Sequence, residues 1–453
     1  MPSSHPKPKQ HRPLTHPIFD EPIFAEATVT PDPRRFSTRH PSDNAQYKTI
    51  EDLLTKDTVS FDRSRAAPGD LYDLTTALGP HGPRVVGAIR QNDRIVFHAV
   101  GDTGASDVRK YANEVRVFDQ VAQDCHTAQD DDRPSFLFHL GDVIYNFGEA
   151  RYYYDQFYEP NRNYPGPIFA IAGNHDSFIL PGTPAEDVPL AVFCRNFCAE
   201  GPGVSVDAGS LHRTAMTQPG VYFALDAPFV RIIGLFSNAL EDPGALSSEG
   251  GRWAGVPDLQ LEFLAAQLAK VRDDKYEGAL LVAVHHSPFV YNPKPGSNGP
   301  GAFHVGSTDM LRDIDTACQG AGIYPHAVLS AHAHNYQRYT RTIRLGGRDV
   351  EVPFIVCGGG GHNLNPLVRR SKANPGEEPS YGADVSYLED RPAVEAQSLI
   401  LEKYNDQDYG YLRITADAKQ LSIGFHVAQD APLSQSRFDM VTVDLASRAL
   451  VAN

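Results

Sequence analysis

Residues 136–145 read FLFHLGDVIY, an apolar run that ends in Gly141-Asp142, with Tyr145 three residues after the aspartate. Four more short apolar runs end in polar residues that can bind a metal ion. They are Ile95–Val100 before Gly101-Asp102, Ile168–Ala172 before Gly173-Asn174-His175-Asp176, Leu280–Val284 before His285-His286, and Ala327–Leu329 before Ser330-Ala331-His332-Ala333-His334. Such runs are typical of buried parallel strands, and ligands of open α/β sheets bind beyond the carboxyl ends of the strands. The five runs therefore predict a metal site at one edge of a sheet.

Amphipathic helices are predicted between and after these strands. One apolar stripe begins after Ser106, which we expect to cap the helix, a second follows Pro257, and a third follows Ser307-Thr308. The residues of the three stripes are Val108, Tyr111, Val115 and Phe118; Leu261, Leu264, Leu268 and Val271; and Met310, Leu311, Ile314 and Cys318. Near the end of the chain, Leu421–Val427 has apolar residues at every second position, as in a strand with one buried face. Mixed strands and helices of this kind favour an α/β sandwich of two sheets flanked by helices.

The distribution of proline and of apolar residues divides the chain into four segments. Residues 1–40 are rich in proline and are expected to be disordered, and residues 41–90 are expected to form an N-terminal extension that packs on the main domain. The main, catalytic domain is predicted at residues 91–430, and a C-terminal tail at residues 431–453. The run Gly358–Gly361 lacks the Lys-Ser/Thr of a phosphate-binding P-loop, so we interpret it as a tight turn after a strand.

The composition excludes some functions and leaves others open. The 453 residues include 41 Lys and Arg against 56 Asp and Glu, a net charge of −15. This excess of acid argues against a nucleic-acid scaffold as partner, since such binding requires basic patches, but it allows a local phosphate pocket. We find no run long enough for a membrane span and no apolar signal segment, so a cytoplasmic location is the default expectation, with secretion or periplasmic export left open. Five scattered cysteines do not indicate a disulfide framework, and the oligomeric state is left open.

Taken together, the five motifs resemble one known family. They read GDTG (101–104), GDVIY (141–145), GNHD (173–176), HHSP (285–288) and AHAHNYQR (331–338). The set is similar to the calcineurin-like metallophosphoesterase superfamily and, within it, to the purple acid phosphatases, which carry GDxG, GDxxY, GNH(D/E), VxxH and GHxH in this order. The resemblance implies a four-layer α/β sandwich of two mixed β-sheets flanked by helices.

The resemblance also implies two metal ions that share one carboxylate. The first, expected to be Fe(III), would be held by Asp102, Asp142, Tyr145 and His334. The second, a divalent Fe, Zn or Mn, would be held by Asp142, Asn174, His286 and His332. In the first motif, Gly104 stands where many members of the superfamily have a histidine ligand, and Tyr145 would replace that ligand. A phenolate is a hard anionic donor that suits Fe(III), and its charge transfer would colour the protein.

His285 and His286 compete for one of these ligand positions. The family places its histidine two residues before a proline, which is Pro288 in this chain. The resemblance therefore favours His286. His285 would then point to the opposite face of the strand, into a packing layer.

Roles in catalysis follow from the same resemblance. Asp142 and His175 are the predicted catalytic residues, and Asn174, His175 and His304 are predicted to bind substrate. His304 fits a substrate-contacting position and an exposed loop position equally well. Asp176 would orient His175 or cap the next element. Hydroxide formed at the metal pair would attack the phosphorus, and His175 could protonate the leaving oxygen.

The predicted function is hydrolysis of a phosphate monoester on a small phosphorylated substrate. Two alternatives stay open: a phosphodiesterase that acts on nucleotide or lipid-headgroup diesters with the same metal centre, and a non-catalytic, phosphoester-binding relative. A serine hydrolase is disfavoured because we find no G-x-S-x-G elbow. A cysteine hydrolase is disfavoured because no cysteine lies in a recognisable nucleophile motif.

Overall fold

The computed structural model describes residues 64–179, 188–209, 211–291, 304–368, 379, 381, 383–384, 396–429 and 437–452. The segment 1–40, predicted to be disordered, lies outside the described residues. So does slightly less than half of the predicted extension, residues 41–63.

Sixteen strands are present in the described part of the chain. In chain order they are β1 (Tyr72–Asp73), β2 (Arg94–Val100), β3 (Leu137–His139), β4 (Ile168–Ala170), β5 (Phe223–Ala227), β6 (Val230–Leu235), β7 (Ala279–Val284), β8 (Ala327–Ser330), β9 (Tyr336–Leu345), β10 (Arg348–Cys357), β11 (Ala383–Asp384), β12 (Ala396–Asn405), β13 (Gly410–Asp417), β14 (Gln420–Val427), β15 (Arg437–Asp444) and β16 (Leu450–Val451). The α-helices are Leu74–Ala77, Gly82–Gln91, Val108–Thr127, Ala150–Tyr153, Asn174–Ser177, Ala191–Phe197, Leu259–Asp273 and Thr308–Ala321.

The strands form two mixed sheets. The first sheet has nine strands in the order β1-β5-β6-β7-β8-β10-β9-β12-β11, and the second has seven in the order β16-β15-β14-β13-β2-β3-β4. Strands β6, β7, β8 and β10 run parallel in the first sheet, as do β2, β3 and β4 in the second. The predicted α/β sandwich of two mixed sheets flanked by helices is thereby confirmed.

The two sheets face each other across an aromatic core. Phe138 of β3 stacks on Phe223 of β5, with ring centroids 6.0 Å apart. Gly234 of β6 lies against the same face, because a Cβ atom there would stand 2.8 Å from a methyl carbon of Ile171. This packing brings the ends of strands from both sheets into one region.

The five predicted motifs are divided between the sheets. The runs before Asp102, Asp142 and Asn174 contain β2, β3 and β4 of the second sheet, whereas those before His285 and His332 contain β7 and β8 of the first. The prediction of a single sheet edge is therefore wrong in this respect. The motifs meet because the carboxyl ends of parallel strands in two facing sheets point toward the same region.

The helix Val108–Thr127 is capped by a different residue from the one predicted. Asp107, not Ser106, is the N-cap, and its Oδ1 accepts a hydrogen bond of 2.9 Å from the Lys110 backbone N–H. Val108 is exposed, while Tyr111 of the predicted stripe is buried. Ser106 instead accepts a bond of 2.9 Å from Lys110 Nζ. The prediction of Ser106 as cap is wrong because a carboxylate one residue later satisfies the helix N-terminus.

The second sheet continues past the predicted end of the main domain at residue 430. Strand β15 pairs antiparallel with β14, and β16 pairs with β15. Residues 437–451 are thus part of the sandwich, and the prediction of a separate tail is wrong for them. At the other end, β1 pairs with β5 at the edge of the first sheet, so the described end of the extension is joined to the main domain. Of the helices in the described ranges, none combines the length and the apolar character needed to span a bilayer.

Candidate metal centre

Three of the predicted ligands lie in an unusual backbone conformation. Asp102, Asp142 and His332 have φ angles of 56°, 54° and 65°. Residues with side chains rarely adopt this left-handed region, and such strain persists where the surrounding structure enforces it. In each case the residue lies two or three positions after the end of a buried strand, so the turn re-aims its side chain across the strand ends.

Asp102, Tyr145 and His334 form one compact group, hereafter the Tyr145 cluster. The phenol of Tyr145 donates a hydrogen bond of 2.9 Å to Asp102 Oδ1 and lies 3.1 Å from His334 Nε2. His334 Nε2 is also 3.3 Å from Asp102 Oδ1. All three side chains are nearly or completely buried. The structure therefore brings together the predicted ligands of the first metal ion other than Asp142.

Close packing explains why Gly104 carries no ligand. A Cβ atom at Gly104 would stand 2.5 Å from Ile144 Cα and 2.7 Å from the Val143 carbonyl oxygen. No larger residue fits there without moving the GDVIY loop, and that same loop supplies the phenol of Tyr145. Burial, followed by the charges of Asp102 and Asp142, raises the pKa of Tyr145 well above its ordinary value. Without a neighbouring cation this phenol stays protonated.

Asp142, Asn174, His285 and His332 form a second group, hereafter the His285 cluster. His285 Nε2 lies 3.2 Å from Asn174 Oδ1 and 3.4 Å from Asp142 Oδ2. His285 Nδ1 is 2.8 Å from the Leu140 carbonyl oxygen, to which it donates a hydrogen bond, so Nε2 faces the cluster. The ligand atoms of Asp142, His285 and His332 all lie within 4.8 Å of one another.

His286 lies outside this cluster, so the prediction that it contributes the ligand while His285 packs away is wrong. His286 Nδ1 is 2.7 Å from Ser237 Oγ, and His286 Nε2 is 2.7 Å from the Leu240 carbonyl oxygen. Both ring nitrogens are engaged in the protein interior. Successive residues at a strand end point to opposite faces, and it is the first histidine after β7 that faces the second sheet.

The two clusters adjoin. Asp102 Oδ1 of the Tyr145 cluster is 4.0 Å from His285 Nε2, the same nitrogen that approaches Asp142. Among the described residues, the ion-pair partners of Asp102 and Asp142 are histidines rather than Lys or Arg. Burial opposes protonation of His285, but the carboxylates of Asp142 and Asp102 outweigh it and raise its pKa to about 9. The site thus concentrates the negative charge of two buried carboxylates, which a bound cation would neutralise.

Unsatisfied polar atoms support the same interpretation. Within the described residues, His332 Nε2 and Asp142 Oδ2 are buried and have no hydrogen-bond partner. A buried polar group without a partner costs free energy, on the order of 1–3 kcal/mol. Carboxylate, phenol, amide and imidazole donors are the ligands of hard and borderline metal ions. The donor set and its unsatisfied atoms therefore fit a pair of cations.

The GNHD loop is held to the GDVIY loop by one carboxylate. Asp176 accepts hydrogen bonds from the backbone N–H groups of Val143 at 3.0 Å and Gly173 at 2.8 Å. Of the two roles left open for Asp176, the structure shows the capping role, since the Gly173 bond closes the start of the helix Asn174–Ser177. His175 instead is oriented by the Asn146 carbonyl oxygen, 2.9 Å from its Nδ1.

His304 lies at the rim of the His285 cluster. Its ring centroid is 4.1 Å from that of His332, and its Nδ1 is 3.4 Å from Asp242 Oδ2. With an exposed side-chain fraction of 11%, His304 is not an exposed loop residue.

Several residues near the clusters were not found from the sequence. Glu241 accepts a hydrogen bond of 3.1 Å from Asn174 Nδ2, which turns Asn174 Oδ1 toward His285. The ring of His362 stacks on that of Tyr145 at 3.5 Å. The sequence did contain a signal for both residues. Apolar strands precede them as they precede the five motifs: β6 lies before the loop with Glu241, and β10 lies before the loop with His362.

Gly358 and its neighbours pack behind the Tyr145 cluster. A Cβ atom at Gly358 would stand 2.6 Å from Asp102 Oδ2, and one at Gly360 would stand 2.2 Å from the Gly101 carbonyl oxygen. The glycines are required for this close approach, and they place the His362 backbone N–H 3.1 Å from the Asp102 carbonyl oxygen.

Comparison with known proteins identifies the family. The profile of the calcineurin-like phosphoesterases matches residues 95–336, which is more than half of the chain. The chain belongs to the calcineurin-like phosphoesterase family, as its motifs predicted. No match was found among curated proteins.

Two solved structures are similar at low identity. "GAP50 the anchor in the inner membrane complex of Plasmodium" is 11% identical with a TM-score of 0.47, over 79% of this chain and 91% of the other. "Structure of PhoD" is 12% identical with a TM-score of 0.43, over 79% and 71%. With TM-scores below 0.5, these two likenesses establish nothing further about this chain.

Proposed function

We propose that this calcineurin-like phosphoesterase hydrolyses phosphate monoesters of a small substrate with a dinuclear metal centre, in the manner of the purple acid phosphatases. The supporting observation is the contact between the two clusters. His285 Nε2 lies 3.4 Å from Asp142 Oδ2 and 4.0 Å from Asp102 Oδ1, so ligands for two cations stand within reach of one shared carboxylate.

The proposed ligands divide between two cations. The first cation takes Asp102, Asp142, Tyr145 and His334, and the second takes Asp142, Asn174, His285 and His332. We propose Fe(III) for the first position because a phenolate favours it, and divalent Fe, Zn or Mn for the second. When bound, the pair would lower the pKa of water and neutralise charge on the phosphate oxygens.

The chain's own residues would bind and orient the substrate. His175 Nδ1 is fixed by the Asn146 carbonyl oxygen, and in this proposal the oriented imidazole donates a proton to the leaving oxygen. The backbone N–H of His175 donates to Asp142 Oδ1 at 3.0 Å and so ties the proton donor to the bridging carboxylate. His304, at the rim, would contact a phosphate oxygen.

Paired substrates test this proposal. Protein reconstituted with Fe and Mn is assayed with p-nitrophenyl phosphate and with bis(p-nitrophenyl) phosphate, beside the metal-free protein. We expect metal-dependent release of nitrophenol that is faster from the monoester. Faster release from the diester would replace the monoesterase proposal with the phosphodiesterase alternative. No release from either ester by a protein that holds two metal ions would contradict hydrolysis altogether.

A further inference from the structure

A lysine of the helix Val108–Thr127 reaches the loop that follows β10. Lys110 Nζ lies 2.7 Å from His362 Nε2 and donates a hydrogen bond of 2.9 Å to Ser106 Oγ. Burial lowers the pKa of Lys110 to about 8, so the amine keeps its proton at pH 7. Asp107 favours that charge from nearby, but no carboxylate in the described part of the chain forms an ion pair with Lys110. None of the five motifs contains Lys110 or His362.

The contacts of His362 fix one tautomer of its imidazole. Its Nδ1 meets the Gly104 carbonyl oxygen, which can only accept a hydrogen bond, so Nδ1 carries a proton. A second proton on Nε2 would point an N–H at the ammonium of Lys110. The ring is therefore neutral, and the lone pair of Nε2 accepts the hydrogen bond from Lys110.

The imidazole fixed in this way lies against the phenol of the Tyr145 cluster. The ring centroids of His362 and Tyr145 are 3.5 Å apart, and the ring planes differ by 23°. The ring of His334 is more distant from His362, at 5.4 Å. The His362 backbone N–H also donates to the Asp102 carbonyl oxygen at 3.1 Å. His362 is thus joined to the cluster by its ring and by its backbone, and it restricts the orientation of the phenol.

The ammonium adds a charge to this arrangement. A phenol that binds Fe(III) gives up its proton and becomes an anion, which a nearby cation stabilises. Lys110 is hydrogen-bonded to the imidazole that contacts the phenol ring, whereas Asp102 lies beyond ion-pair distance of Lys110 among the described contacts. The positive charge therefore acts on the phenol ring rather than on the carboxylate ligand of the same cluster.

We propose that His362 is a positioning residue for Tyr145, and that Lys110 fixes the tautomer of His362 and stabilises the phenolate by its charge. The inference rests on the proposed metal centre and deepens it, because it names the residues that hold the phenol ligand of the first cation. Partners of this kind orient metal ligands and tune the metal ion. Both residues act through Tyr145 and not on the substrate.

The visible absorption band of the iron-loaded full chain tests the inference. The band arises when an electron moves from the phenolate to iron, and a cation beside the phenolate opposes that movement. In Lys110→Met we expect the band at longer wavelength with unchanged iron content, whereas Lys110→Arg, which keeps the charge, should restore its position. Lys270→Met is the matched control, since Lys270 pairs with Asp274 beside the helix Leu259–Asp273, and its band should not move.

A second measurement needs neither iron nor a substituted lysine. In the metal-free unsubstituted protein with ¹⁵N-labelled histidine, nuclear magnetic resonance at pH 7 should show His362 with a proton on Nδ1 and none on Nε2. His362→Phe, which keeps a flat ring, assigns the signal by its loss. A proton on Nε2, or an unmoved band in Lys110→Met at equal iron content, overturns the inference. The expected band shift without any hydrolysis would contradict the proposed function and leave this inference standing.

Discussion

The two halves of the candidate centre are built differently. In the Tyr145 cluster the ligand atoms contact one another at 2.9 to 3.3 Å, and the phenol ring contacts the rings of His362 and His175. The His285 cluster opens outward, where Asp242 and His304 stand at its rim. The Asp102 side chain has no exposed surface, whereas Asp242 is 22% exposed. From this difference we expect the first half to retain its proposed cation and the second half to meet substrate and solvent.

The largest effect is expected where the halves join. Asp142→Asn removes the carboxylate that both proposed cations share, while the amide keeps the size of the side chain. We expect the turnover number to fall by roughly 1000-fold or more and at least one cation to be lost. Steady-state kinetics and elemental analysis of the same preparation check this. A variant with both ions and near-normal turnover would contradict the shared role of Asp142.

Adjacent histidines give a matched pair within the His285 cluster. His285→Gln should lower turnover by roughly 100-fold, because its Nε2 faces Asp142 and Asn174. His286→Gln should instead lower the free energy of unfolding, on the order of 1–3 kcal/mol, because the buried Ser237 hydroxyl and Leu240 carbonyl oxygen lose the imidazole as hydrogen-bond partner. Urea denaturation and kinetics on both variants separate the two effects. The opposite pattern would restore the original assignment of His286.

Tyr145→Phe changes the first half of the centre, the Tyr145 cluster, and leaves the ligands of the second half in place. It removes the only phenol oxygen of the two clusters and keeps the stacked ring. We expect loss of the visible absorption band of the iron-loaded protein and a roughly tenfold lower activity, with Mn²⁺ binding at the second position within a factor of three. Absorption spectroscopy with parallel Mn²⁺ titration measures both. An unchanged band would remove Tyr145 from the proposed ligands.

How far the sequence predicts the site depends on local chain geometry. A residue close to the end of a buried parallel strand is placed by the sheet itself. Asp102, Asp142 and Asn174 lie only two, three and four residues beyond β2, β3 and β4, and so they could be found from their motifs. His285 and His286 could not be separated, because the choice depends on which face of β7 meets the second sheet. Asp242 was missed because it lies seven residues beyond β6, where the course of the loop decides its position.

Like the site, the fold could be predicted from the sequence only in part. Apolar runs and helical stripes predict the layers of the sandwich, since burial alone sets their periodicity. The division of the motifs over two sheets was not predictable, because strand order depends on contacts between distant segments. The inclusion of β15 was missed because residues 428–436 separate it from β14 in the sequence, and its pairing is seen only in the sheet.

The smallest expected effect concerns stability outside the centre. His326 is buried, and burial lowers its pKa to about 3 from an ordinary value of 6.5. As pH falls from 6.5 toward 3, the unfolded chain takes up a proton at this histidine and the folded chain does not. The free energy of unfolding therefore falls, by up to about 1.4 kcal/mol per pH unit from this group.

His326→Gln tests this contribution in the metal-free protein. The variant should show a shallower loss of unfolding free energy between pH 7 and pH 5 than the unsubstituted protein, whatever its stability at pH 7. Urea denaturation at both pH values provides the measurement. Equal pH dependence in the two proteins would show that His326 does not titrate differently in the folded and unfolded states.

The central claim is that Asp102, Asp142, Tyr145, Asn174, His285, His332 and His334 hold two cations in one site. Anomalous diffraction from crystals of the metal-loaded protein tests it most directly. The account predicts two peaks per chain, about 3.5–4 Å apart, with Asp142 in contact with both. A single peak, two peaks far apart, or peaks bound to other side chains would contradict it.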